Sequence, residues 1–175
     1  MPKSGAIDDE RELIDVINEY DAVVDSMPKR EVHLKNLLHR EVGVLVLDEN
    51  GNLLLQQRSY KKRHSPGKWT VTAVGHVRSG QTPEEAAHEE LQEELGFDAP
   101  IKFVEKRKCV SDNHSSFGYI FVGTFPRGTR ITPDKNEVHK AEFKTKQQVE
   151  RMIESKEIGS IAIKTINNFF NGLYK

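Results

Sequence analysis

The 23 residues from Gly75 to Phe97, GHVRSGQTPEEAAHEELQEELGF, contain six glutamates: Glu84, Glu85, Glu89, Glu90, Glu93 and Glu94. Like charges on one helix face repel, so this density calls for an offsetting cation. Glu90, Glu93 and Glu94 stand at i, i+3 and i+4, which puts their carboxylates on one face of a helix. Oxygen-only ligation of this kind suits a hard divalent cation, Mg²⁺ or Mn²⁺, which keeps water and engages substrate phosphates. A solvated acidic face is the commoner meaning of a charge run, and spacing alone leaves both readings open. Just ahead lies the basic stretch QQRSYKKRHSPGKW, with Arg58, Lys61, Lys62, Arg63, His64 and Lys68. Cations beside a metal site grip phosphates. Arg58, Lys62 and Lys68 are therefore the candidate substrate-binding residues, and Arg58, next to a strand end, leads them. For any one of them a solvated loop cation is the plainer alternative. Trp69 is expected in the core, with stacking on a base as the alternative.

These side chains need elements to hold them. Thr82 is a good N-cap, Pro83 fits the first helical position, and Glu85 at N3 completes a capping box. Gly96 is the expected terminating residue, and Ala86, Ala87, Leu91 and Leu95 supply the buried side. Upstream, ELIDVINEYDAVVDSM reads as two short strands around a polar turn near Asn18 to Asp21, and Pro28 breaks it. KREVHLKNLL follows as a short helix. REVGVLVLDENGNLLLQQRS is the strongest hairpin, with strands Val42 to Leu47 and Leu53 to Gln57. WTVTAVGHV reads as one strand, IKFVEKRKCV and FGYIFVGTF as two more, and TRITPDKNEVHKAEF as a loop leading to a last short strand. TKQQVERMIES and IGSIAIKTINNFFNGL are terminal helices with apolar residues at helical spacing. Ile158, Ile161, Ile163, Ile166, Phe169 and Phe170 are expected to cover the sheet, with a homodimer contact left open. This order of elements is that of an α+β or α/β sandwich.

Composition sets the outer bounds. The chain has 175 residues, enough for one domain with a real core. Residues 1–10 read as a loose, polar N-terminus and 11–175 as the domain, with its core over 36–155 and a C-terminal helix over 156–175. There are 26 Lys and Arg against 27 Asp and Glu, so no overall field favours nucleic acid or an acidic membrane. The apolar runs are too short to span a bilayer, and the N-terminus lacks the apolar stretch of a signal peptide. Cys109 is the single cysteine. It excludes an intramolecular disulfide and reads as structural, and a soluble cytoplasmic protein is the simplest expectation.

The acidic stretch resembles the Nudix box, written GX5EX7REUXEEXGU with U aliphatic. Gly75, Glu90, Leu91, Glu93, Glu94 and Gly96 match, and Phe97 stands as an apolar substitute. The resemblance runs over roughly residues 11 to 155 in element order. It implies a Nudix-type α/β/α sandwich with a mixed central sheet. It also implies a Mg²⁺ or Mn²⁺ site on Glu90, Glu93 and Glu94, with the Gly75 carbonyl as an extra ligand. Glu90 or Glu93 would collect the proton of the attacking water. Glu137, in DKNEVHKAEF, falls where many members of the family place another catalytic or ligating Glu; a plain loop carboxylate is the equal alternative. Two positions depart from the box. Its first Glu is Gln81 here, and its Arg, which orients the carboxylates, is Glu89. A nearby Lys or Arg, or a further metal, would have to compensate.

RSYKKRHSPGKW followed by GHV, with VHLKNLLHR upstream, is similar to one Nudix branch, that of isopentenyl-diphosphate isomerase and its relatives. That resemblance implies a metal on histidines. His39 and His76 match two of them, and His33 approximates the third, one residue out of register; ordinary hydrogen-bonded histidines are the alternative for His33 and His39. The isomerase's essential cysteine precedes the Gly-His pair, where this chain has Val74, which can neither donate nor accept a proton. The sequence is thus expected to be a metal-dependent hydrolase of a diphosphate linkage in a small-molecule nucleoside diphosphate derivative or similar organic diphosphate. Isomerase-like chemistry is one alternative, and a catalytically weak Nudix binding module is the other.

Overall fold

A computed structural model describes residues 9–174. In chain order they form β1 (Leu13–Ile17), β2 (Val23–Pro28), α1 (Lys29–Leu34), β3 (His39–Leu47) and β4 (Leu53–Arg58). There follow β5 (Trp69–Thr70), β6 (Ala73–His76), α2 (Pro83–Leu95), β7 (Ile101–Ser111), β8 (His114–Thr124), β9 (Val138–Lys144), α3 (Lys146–Glu154) and α4 (Ser160–Phe170). The expectation of a loose N-terminus falls, for residues 1–8, outside the described residues. Asp9 to Glu12 form a turn closed by the Glu12 N–H on the Asp9 carbonyl, 3.0 Å.

The central sheet has seven strands. Its path runs β5-β4-β3-β8-β7, with β6 also paired to β3 and β9 to β4. β3 and β8 are parallel, from His39↔Ser116 to Leu47↔Thr124, and the remaining pairs are antiparallel, so the sheet is mixed. Alternation along β3 sets the layers. Val42, Val44 and Val46 face α2 and pack with Ala86, Ala87, Leu91 and Leu95. Leu45 faces the other way, into a core closed by Val149 and Met152 of α3 and Ala162 and Ile166 of α4. The result is an α/β/α sandwich. Leu91 and Leu95 are fully buried, each contributing about 1.5–3 kcal/mol. β1, β2 and α1 enclose a third, small core of Ile14, Val16 and Val32. The C-terminal part covers the sheet through Ile158, between α3 and α4, and Ile166 of α4, while Ile161 points out at 73% exposed.

The β3–β4 hairpin is present, but the two strands pair only at its mouth, Leu47↔Leu53. Beyond it they diverge: β6 takes the edge of β3, while β5 and β9 take β4. This divergence also breaks WTVTAVGHV, expected as one strand, into β5 and β6. Thr72 fills the gap. Its hydroxyl accepts from the Val46 N–H at 2.8 Å and donates to the Leu54 carbonyl at 2.6 Å, replacing a ladder rung in the buried split. β8 begins at His114, three residues before the expected Phe117, because residues 112–113 make a tight turn between β7 and β8.

Candidate active site

α2 has the expected ends. The Thr82 hydroxyl accepts from the Glu85 N–H, the Glu85 carboxylate accepts from the Thr82 N–H, Pro83 opens the helix and Gly96 closes it at φ 71°. The helix lies over β6 with its acidic face toward that strand, and its carboxylates take different partners. Glu90 is pressed against Gly75: a Cβ there would lie 1.9 Å from Glu90 Oε1. Burial, then the nearby Glu94 and Glu93, push the Glu90 carboxyl well above the usual range. Glu94 is buried and accepts from Gln56 Nε2 at 2.5 Å and from the Val74 N–H at 3.2 Å. Burial raises it to about 8 against those two hydrogen bonds, and Glu137 adds to the rise. Glu93 faces outward, where Arg78 Nη2 stands 3.1 Å from both of its oxygens.

The departures from the box meet around that arginine. Arg78 Nη1 donates to Glu89 and its Nε to Glu12. Gln81 Nε2 donates to the other Glu89 oxygen at 2.6 Å, and Gln81 Oε1 accepts from the Arg78 N–H at 3.1 Å. Burial works against the Glu89 charge, but Gln81 and Arg78 outweigh it and hold its carboxyl below the ordinary value. Arg78 was not among the candidates, although a guanidinium within the box, three residues after Gly75, is visible in the sequence.

The basic residues divide. Lys62 is buried and donates to Glu137 at 2.5 Å, and both act electrostatically on Glu94. The structure therefore pairs Lys62 with Glu137, within electrostatic reach of Glu94. Arg58 Nε instead donates to the His64 carbonyl at 3.1 Å, and Lys68 Nζ to the Lys156 carbonyl at 2.6 Å, so each ties down a loop. Trp69 is buried, with the Lys140 and Lys144 ammonium groups 5.3 and 5.2 Å from its ring centre.

A second cluster lies on the opposite face of β3 and β6. His39 and Glu41 of β3, His76 of β6, His114 of β8 and His33 of α1 converge there. Among the described residues, His33–His39–His76 and His39–Glu41–His114 are the groups of three whose ligand atoms all lie within 4.8 Å of one another. Glu90, Glu93 and Glu94 do not form such a group. The His39 Nδ1–H donates to the Leu37 carbonyl at 2.9 Å, which fixes the tautomer and leaves Nε2 as a lone pair. That nitrogen is buried without a hydrogen-bond partner, and Glu41 Oε1 stands 3.7 Å away. The Nε2 atoms of His33 and His76 face each other at 2.9 Å. Burial is the main reason that His76 is lowered to about 3 and that His33 is also lowered, so both are neutral imidazoles. Burial opposes the Glu41 charge, yet His114 and His39 carry its carboxyl well below the usual range. The Glu41 hydrogen bond in turn raises His114. Neutral imidazoles aimed at one point, one lone pair orphaned and the neighbouring carboxylate ionised, are a donor set for a divalent metal. Glu41 and His114 were not anticipated. Glu41 was within reach, since it lies two residues from His39 and hence on the same strand face.

A family model described as NUDIX domain matches residues 37–163. The chain is 37% identical over 129 residues to isopentenyl-diphosphate Delta-isomerase 2 of Photorhabdus laumondii, covering 71% of this chain and 73% of that protein. It is 35% identical over 129 residues to the isopentenyl-diphosphate Delta-isomerase of Serratia proteamaculans, covering 71% and 72%. In three dimensions it is similar to the crystal structure of DR0079 from Deinococcus radiodurans, with a TM-score of 0.77 and 24% identity, covering 90% of this chain and 98% of that one. That likeness carries the fold.

Proposed function

Because the chain belongs to the Nudix family, we propose that it hydrolyses a diphosphate linkage in a nucleoside diphosphate derivative or similar organic diphosphate, using Mg²⁺ or Mn²⁺. Glu90, Glu93, Glu94 and the Gly75 carbonyl would hold the cation. The observation that carries this reading is the seating of Glu90 on Gly75, at a distance only glycine permits, next to the buried Glu94. Two carboxyls this close and this buried repel each other and hold protons; a bound cation allows both to ionise. When bound, the metal supplies charge for a phosphoryl oxygen and lowers the pKa of a water. The chain's own groups do the rest. Glu90 or Glu93 would accept the proton of the attacking water. Glu137 is a further candidate base, oriented by the buried Lys62 at 2.5 Å. Lys62, together with the N–H groups of Arg58 and Lys68 not spent on carbonyls, would contact the phosphates.

The histidine cluster favours a second reading, isomerisation of an isoprenoid diphosphate, the reaction named for the relatives. It would be a second metal centre, held by His33, His39 and His76 with Glu41 and His114. Val74 counts against this reading, because its side chain exchanges no proton and its N–H is spent on Glu94. The test is to incubate the protein with Mg²⁺ or Mn²⁺ and a panel of nucleoside diphosphate compounds, and separately with isopentenyl diphosphate, beside a Glu93→Gln/Glu94→Gln variant. Metal-dependent release of phosphate or nucleotide that the variant lacks is the expected result. A shifted double bond without hydrolysis would replace it with the second reading. Ligand binding with no turnover under either metal would leave a binding module.

A further inference from the structure

We propose that Arg78 is a positioning residue for the helix site, a guanidinium in the β6–α2 loop, braced by β1, that sets where the Glu93 carboxylate stands; this rests on the reading above that Glu93 is a metal ligand. Three observations carry it. First, the Arg78 fork links Glu89 and Glu93, one turn apart on α2, and its Nε binds Glu12. A planar fork fixes direction as well as charge. Second, the chain supplies no arginine from the helix, and Arg78 is the guanidinium that meets its acidic face: besides its hydrogen bonds to Glu89 and Glu93 it acts electrostatically on Glu90. The Gln81–Glu89 hydrogen bond at 2.6 Å holds the third partner in place. Third, the segment that bears Arg78 is built into β1. Arg78 bridges Ile14, the Ser79 N–H donates to the Leu13 carbonyl at 2.9 Å, and the Ser79 hydroxyl and Gly80 N–H reach the Asp15 carboxylate at 2.6 and 3.2 Å. Glu12 and β1 lie outside the family match at 37–163. The site therefore includes a part of the chain that the match does not reach.

A cation that only neutralised its surroundings would compete with a metal for Glu93, and removing it would tighten metal binding. A positioning fork has the opposite effect: without it Glu93 loses its direction, Glu89 repels it, and binding weakens. The two roles thus differ in sign. The experiment counts bound Mn²⁺ by the electron paramagnetic resonance of the free ion, which needs no turnover. The class of Mn²⁺ lost in Glu93→Gln defines the helix site and separates it from any ion on the histidines. Arg78→Ala is expected to raise its dissociation constant about 10- to 100-fold. Arg78→Lys, which keeps the charge and loses the fork, should do nearly the same. Arg78→Ala combined with Glu89→Arg, which returns a guanidinium at i, i+4 from Glu93, should recover it to within a few fold. Unchanged or tighter binding in Arg78→Ala, normal binding in Arg78→Lys, or no recovery in the double variant would each overturn the proposal. A thermal scan of each variant shows that the fold survives, and Arg78→Lys carries the test if Arg78→Ala does not fold. Should Glu93→Gln itself bind Mn²⁺ normally, the metal assignment fails instead, which is a separable result.

Discussion

Gly75→Ala separates the role of the site from the stability of the fold. Gly75 lies in β6 with ordinary extended backbone, so alanine fits the chain and even removes about 0.5–1 kcal/mol of unfolded-state freedom. Its methyl carbon, however, would stand 1.9 Å from Glu90 Oε1, 2.1 Å from Cδ and 2.7 Å from Cγ. The obstacle is the free end of one side chain, so the carboxylate gives way rather than the strand. To reach ordinary contact at 3.4 Å it must retreat by about 1.5 Å. A displacement of that size at a reacting group costs about 10²-fold in rate, while the thermal midpoint should move by no more than a few degrees, as expected for about 1 kcal/mol. The assay is steady-state hydrolysis of the best diphosphate from the panel at saturating Mg²⁺, with unfolding followed by circular dichroism. Wild-type turnover in Gly75→Ala would refute the placement of Glu90 at the reacting centre. A loss of activity matched by a collapse in stability would refute the claim that only the carboxylate moves.

Glu94 makes metal affinity depend on pH. Its folded value is raised to about 8, so the contribution of the neutral carboxyl to stability is intact below the unfolded value near 4.5 and is lost as pH rises toward 8. Cation binding must displace that proton and the one on Glu90, so Mg²⁺ affinity measured by calorimetry should increase more than tenfold, up to about a hundredfold, per unit between pH 6 and 8, and Glu94→Gln should make the dependence less steep by about one proton. On the other face of the sheet, Zn²⁺ or Mn²⁺ at about 100 times its dissociation constant should add about 2.7 kcal/mol of stability, read as a rise in thermal midpoint; His39→Asn should abolish the rise, and an unchanged rise would remove His39 from the centre. Because His76 is lowered to about 3 by burial, the unfolded chain takes up a proton near pH 6.5 that the folded chain refuses. Stability of the metal-free protein should therefore fall as pH drops from 6.5 toward 5, by up to about 1.4 kcal/mol per unit, and His76→Gln should lessen the fall. Thr72→Val leaves the Val46 N–H without its partner at the strand split and should cost about 2 kcal/mol in urea unfolding, whereas Thr72→Ser should cost less than half of that.

Local rules made α2 legible from end to end. Thr82, Pro83, Glu85 and Gly96 each act through the backbone within one turn, so spacing sufficed. Helical spacing marked the buried sides of α3 and α4 for the same reason, whereas Val42 to Leu47 of β3 is an unbroken apolar run buried on both faces, so its pattern assigns neither. Partner choice was not legible. Nothing in the composition of Val71 and Thr72 marks them as the place where one strand becomes two; the cause is the divergence of β3 from β4. The parallel pairing of β3 with β8 spans more than seventy residues of sequence and has no local signature. His33, His39 and His76 were readable as a set through the resemblance. Glu41 follows from His39 by strand alternation, whereas His114 joined them only when β3 and β8 came into register. Arg78 shows the same limit in reverse: the gap left at Glu89 was visible, but the residue that fills it is aimed by β1, more than sixty positions upstream.

The four residues of β6 serve two neighbourhoods in turn. Ala73 and Gly75 look toward α2, Val74 and His76 toward the opposite side, and the Val74 amide holds Glu94. Every position in this tract therefore has a separate employer. A library that randomises Ala73 to His76 should be far poorer in functional clones than one of equal size over the exposed basic loop, and its survivors should rarely be combinable. Evolution of a new substrate range from this scaffold would have to proceed through the loops around β6, leaving the strand itself as a fixed partition between the acidic helix face and the histidine cluster.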